Sequence, residues 1–86
     1  FKSTQGKVHA AVFMANNTKI ITAGEDRVIR IWNVADGKLL LKLTGHNSEI
    51  TDLQINADNK ILYSYSVDGV IKCWNLETNK EIFEHI

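Results

Sequence analysis

Few of the 86 residues form groupings that could do chemistry. His46, Ser64 and Asp68 supply a base, a hydroxyl and a carboxylate, which are the parts of a hydrolytic triad. Nucleophilic catalysis also needs an exposed hydroxyl and donors aimed at the developing oxyanion. No Gly-x-Ser-x-Gly elbow surrounds Ser64, which stands in Leu62-Tyr63-Ser64-Tyr65-Ser66. His9 and His85 have no second His or Cys at ligand spacing, so no metal site is expected. Cys73 forms no Cys-x-x-Cys and lies in an apolar run beside Trp74, where a thiol acts as a small hydrophobe. Gly24, Gly37 and Gly69 punctuate turns and do not form a phosphate cradle. Arg30 and Lys72 are single cations within apolar segments, expected to pack their stems and reach a carboxylate or water. No catalytic residue and no cofactor is expected.

The elements that must position these side chains come in a repeat. The segment from Ile20 to Asn33 answers to the segment from Leu62 to Asn75, and 42 residues separate Trp32 from Trp74. The same offset pairs Asn17 with Asn59, Asp26 with Asp68, Val28 with Val70, Ile29 with Ile71 and Lys38 with Lys80. Apolar bursts rich in Val, Ile, Phe, Tyr and Trp alternate with Asn, Asp, Gly and Ser clusters, the rhythm of antiparallel strands. Strands are expected at Val8–Met14, Lys19–Ala23, Val28–Val34 and Leu39–Leu43, then at Ile50–Ile55, Ile61–Ser66, Val70–Leu76 and Lys80–His85. Their turns fall at Asn16-Asn17, Glu25-Asp26-Arg27, Asp36-Gly37, Asp58-Asn59, Asp68-Gly69 and Thr78-Asn79, residues that tolerate positive φ or bond their own backbone. The third strand of each unit is apolar on both faces, so both faces need a cover.

Composition narrows the function class. Hydrophobic residues make up 44% and charged residues 23%, values of an ordinary globular chain. Ten basic and ten acidic side chains cancel, and no run of Lys or Arg singles out nucleic acid or an anionic membrane surface as a partner. One cysteine rules out an internal disulfide framework and fits a reducing, intracellular compartment, cytoplasmic or nuclear. No apolar stretch is long enough to span a bilayer, and no leader is evident. The opening on Phe1 instead of Met fits an excised piece. A domain of this size buries only about 60–65% of its unfolded surface, so stability alone is marginal.

The repeat resembles the WD-repeat (WD40) family, whose unit carries Gly-His before the first strand and Trp-Asp at the end of the third. The second unit has Gly45-His46, Ser64, Asp68-Gly69 and Trp74; the first keeps Thr22, Asp26 and Trp32 but has Ser3-Thr4 where Gly-His would stand. Asn33 and Asn75 replace the family's Asp after Trp. The resemblance implies an all-β fold, two four-stranded antiparallel blades of a WD40 β-propeller, with one blade in residues 1–44 and the next in 45–86. It also implies a structural tetrad of His46, Ser64, Asp68 and Trp74, with Thr22, Asp26 and Trp32 as its incomplete counterpart. On that assignment Asp68→Ala is expected to cost more stability than Asp26→Ala, because the first unit has no His at Thr4 to lose its partner.

Function follows from the same resemblance. The family's propellers serve as rigid, non-catalytic platforms for protein or peptide partners, which implies a protein–protein interaction scaffold here. The face most used carries the loops that enter each first strand and those between second and third strands. Mapped onto this sequence it comprises Lys7, His9, Glu25, Glu49, Thr51 and Val67. The other reading is architectural: blades that complete a ring appended to a larger enzyme or multiprotein assembly, with neighbouring WD-repeat blades of the same or another chain as partners. A small independent enzyme has the least support, because no acid–base or metal constellation is visible. Two blades alone would also leave apolar faces uncovered, so the isolated chain is expected to associate.

Overall fold

The computed structural model describes residues 6–14 and 17–85, with side chains up to residue 82. Eight strands form: β1 (Val8–Met14), β2 (Lys19–Gly24), β3 (Ile29–Asn33), β4 (Leu39–Leu43), β5 (Ile50–Ile55), β6 (Ile61–Ser66), β7 (Ile71–Asn75) and β8 (Lys80–His85). They make two antiparallel four-stranded meanders, β1-β2-β3-β4 and β5-β6-β7-β8. Among the described residues no helix is long and apolar enough to cross a membrane. The sequence reading of β3 and β7 runs one residue too far at each end. Beyond those ends the backbone turns, although Val34 N still donates to Thr18 O and Leu76 N to Lys60 O at 3.0 and 2.8 Å.

Turn chemistry sets the strand lengths. Asn17, Arg27, Asn59 and Asn79 adopt φ of 61–69°, and Gly37 and Gly69 adopt 70° and 84°. In the β2–β3 turn Arg27 N donates to Gly24 O, and in the β6–β7 turn Gly69 N donates to Ser66 O. The two turns are thus built alike, with a left-handed residue at the same place. Asn16 of the first expected turn, together with Ser3 and Thr4, lies outside the described residues.

Irregularities repeat too. Register shifts between Val8 and Ala10, and between Ile50 and Asp52, make His9 and Thr51 the extra residues of equivalent bulges. On the outermost strands, Leu40 and Ile82 are the extra residues opposite Ile31–Trp32 and Cys73–Trp74. A bulge bends an edge strand and breaks its regular row of donors and acceptors, which discourages edge-to-edge pairing.

The core lies between the sheets. Ile21, Ala23, Ile29, Ile31 and Leu43 of the first sheet join Ile50, Leu53, Leu62 and Trp74 of the second in one apolar cluster. Ile21, Ile29, Ile50 and Leu62 are fully enclosed, each burial contributing about 1.5–3 kcal/mol relative to exposure. In the third strands Ile29–Trp32 and Lys72–Trp74 are buried without alternation, and Ile29, Ile31 and Trp74 among them belong to this cluster. Trp32 and Trp74 are both buried, so the large apolar side chains left exposed are others, among them Phe13, Leu39, Leu40 and Ile82.

Candidate functional site

Within each sheet a tryptophan on the third strand reaches across to a hydroxyl on the second. Trp32 Nε1 donates to Thr22 Oγ1 at 2.8 Å, and Trp74 Nε1 donates to Ser64 Oγ at 2.9 Å. In the second sheet His46, buried ahead of β5, adds its Nε2 at 2.6 Å from the same Ser64 oxygen. Ser64 is completely enclosed, so its hydroxyl has no route to a substrate. Its two neighbours tie the segment before β5 to β6 and β7, a positional task.

The two aspartates differ more than their shared place in the repeat suggests. Asp26 pairs with Arg30, with side chains only 8% and 10% exposed, and also accepts from Val28 N. Asp68 is exposed, accepting from Ser66 Oγ and from Val70 N. The Ser66 hydroxyl is the main cause holding the Asp68 carboxyl below its usual range; the Val70 amide and Ser48 assist, against some desolvation. Lys72, the counterpart of Arg30, finds its carboxylate elsewhere, with Nζ 3.0 and 3.1 Å from the two oxygens of Glu81 on β8. Each buried cation therefore reaches a carboxylate, but by a different route.

At one end of the sheets the strand starts and the β2–β3 and β6–β7 turns converge. Glu25 N donates to Lys7 O at 2.9 Å, and Val67 N donates to Glu49 O at 3.0 Å, the same bond in each repeat. Gly24 permits the first approach: a Cβ there would lie 2.0 Å from Lys7 O. The Glu25 carboxylate turns back to accept from Lys7 N at 2.8 Å. Across the sheets, His9 Nε2 lies 3.1 Å from Glu49 Oε1. One donor atom from each of His9, Glu25 and Glu49 falls within 4.8 Å of the others. Thr51 is exposed on β5, donating to Tyr65 O at 3.3 Å, and Val67 is 63% exposed in its turn. The six residues of the expected face thus occupy one end of the two sheets.

Sequence spacing had given His9 no ligand neighbours. The glutamates beside it lie 16 and 40 residues away, and they meet it only because the two sheets stack and a bulge displaces His9. The available signal was the repeat offset, which puts Glu49 at the position of Lys7 in the next unit. His85 lies on β8, and its side chain is outside the described ones.

Away from this end, a groove of about 230 Å3 is lined by Met14, Lys19, Ile31, Leu40, Leu41, Leu76 and Asn79. Among these described lining residues the ionisable side chain is Lys19. Cys73 is buried, and desolvation pushes its thiol pKa up, away from reactivity.

Comparison with known proteins follows this architecture. The family profile described as WD domain, G-beta repeat, matches residues 1–33 and 37–75. A bromodomain and WD repeat-containing protein of Dictyostelium discoideum is 37% identical over 59 residues, covering 69% of this chain and 3% of its own length. The angio-associated migratory cell protein of Homo sapiens is 30% identical over 67 residues, covering 78% of this chain and 15% of its own. Protein ROOT INITIATION DEFECTIVE 3 of Arabidopsis thaliana is 42% identical over 64 residues, covering 72% and 15%. The solved structure of U3-55K superposes with a TM-score of 0.91 over 98% of this chain and 28% of that one, at 22% identity, a likeness of fold. The chain spans a small part of each of these relatives.

Proposed function

The chain belongs to the WD-repeat family, and from that premise we propose that its two blades present a binding face for a protein or peptide, formed by Lys7, His9, Glu25, Glu49, Thr51 and Val67. WD-repeat domains serve generally as non-catalytic scaffolds for protein partnerships. The observation that carries the finer reading is the convergence of these residues at one end of both sheets, linked by His9 and Glu49. Strand interiors are spent on packing between blades, so recognition falls on turns and strand starts held by a rigid sheet. Lys7 beside Glu25 and Glu49 leaves no dominant charge, which suits a protein surface better than a polyanion. A blade division at residues 44 and 45, and a reducing intracellular compartment for the buried, unbridged Cys73, complete the reading.

The test is charge reversal in the intact protein, Lys7→Glu and Glu49→Lys, against Lys38→Glu and Lys80→Glu at exposed positions near the other turns. The first pair is expected to weaken partner binding with folding intact, and the second to leave it unchanged. The opposite pattern would move the site to the outer edges. Unchanged affinity in all four favours the architectural reading, in which these blades complete a ring for a larger assembly; the small share of each relative that they span suits that role.

A further inference from the structure

We propose that His9, Glu25 and Glu49 form a zinc-binding site that bridges the two blades. Each offers one donor atom, all within 4.8 Å of one another. Donors about 2.1 Å from a tetrahedral zinc ion stand about 3.4 Å apart. The 3.1 Å between His9 Nε2 and Glu49 Oε1 already meets that spacing. Glu25 supplies the third donor within the same 4.8 Å.

The placement of each ligand supports the assignment. His9 is the extra residue of the β1 bulge, and bulges re-aim side chains out of the strand's ordinary alternation. The matching bulge in the second blade holds Thr51, which is no zinc ligand, so the repeat by itself does not require a histidine there. Glu25 is oriented by the Lys7 amide, which engages Oε1 and leaves Oε2 for an ion. Glu49 is anchored through its carbonyl to Val67. With His9 neutral, two carboxylates at this separation repel, and a divalent cation turns that repulsion into attraction. One imidazole and two carboxylates select zinc over calcium or magnesium, which require larger sets of oxygen ligands. Three protein ligands leave a fourth position for water. The site stands independently of the partner-binding reading, and its test contains no partner.

The intact protein, stripped by chelator, is titrated with Zn2+ by calorimetry and with Co2+ by visible absorption. Expected are one zinc bound per site, a tetrahedral cobalt band, and a zinc-dependent rise in Tm by linkage. His9→Asn, Glu25→Gln and Glu49→Gln should each weaken zinc at least about tenfold and remove the band, whereas Glu77→Gln, an exposed carboxylate elsewhere, should change neither. Glu49 is 46% exposed, so its variant stays folded even if another ligand change unsettles β1. The proposal is overturned if the three ligand variants bind zinc like the parent, if the cobalt band survives His9→Asn, or if calcium binds as tightly as zinc.

Discussion

The buried ion pair of Asp26 with Arg30 changes the expected ranking of the two repeated aspartates. Removing one partner of a buried pair strands the other charge, which costs about 3–5 kcal/mol. Asp68 sits exposed on a turn, where water replaces the lost bonds. Asp26→Ala is therefore expected to lower stability more than Asp68→Ala in denaturant melts of the intact protein, the reverse of the order inferred from the missing His. A larger loss at Asp68 would restore the His46-centred view. The Cys73 thiol, raised by burial, should react with a disulfide reagent only as fast as the blade opens, so modification and unfolding should share one dependence on denaturant; rapid labelling under native conditions would contradict its placement. At this scale the sequence was legible where spacing repeats. The tryptophan-to-hydroxyl bonds follow from Thr22/Trp32 and Ser64/Trp74 standing ten residues apart in both units. It was not legible where partners differ between units: Arg30 turns back to its own turn, while Lys72 reaches β8.

Among the elements, the β2–β3 and β6–β7 turns form a natural comparison. Arg27 and Gly69 occupy the same left-handed position, with φ of 69° and 84°. An L-residue there costs roughly 1–2 kcal/mol, offset in part by the 0.5–1 kcal/mol of chain freedom that glycine surrenders on folding. Arg27→Gly is expected to stabilise by about 0.5–1 kcal/mol, and Gly69→Ala to destabilise although its Cβ would meet nothing within 4 Å. Thermal melts of both variants check this, and a loss at Arg27→Gly would mean that the arginine side chain contributes more than its backbone costs. The strands themselves were readable from alternation and turn residues. The bulges were not, because an extra residue leaves no mark on composition; it shows only when two strands are laid in register, as at His9 or Leu40. The His9–Glu49 contact needed both a bulge and a neighbouring blade, so no reading along one strand could have found it.

For the whole molecule, one core shared by two sheets couples the stability of each blade to the other. Trp74 and Leu62 complete a cluster that Ile21, Ile29 and Ile31 begin. Phe13, Leu39, Leu40 and Ile82 stay exposed outside that core. An isolated 86-residue chain is expected to sediment as oligomers or aggregates, or to unfold, because apolar surface of this kind promotes association. A sharp monomer peak with a cooperative thermal transition would count against it.

The unbroken meander of each sheet has a mechanical consequence. In antiparallel sheets the hydrogen bonds run perpendicular to the strands, so tension applied across β1-β2-β3-β4 pulls along the bonds and loads them singly. The sheet would open as a zip does, without the simultaneous shear of a whole ladder, and at low force. Resistance to pulling must therefore come from whatever joins blade to blade. A unit of this kind yields when its outer strands are drawn apart edge from edge, and the packed core, more than the exposed His9–Glu49 contact, holds one sheet to the other.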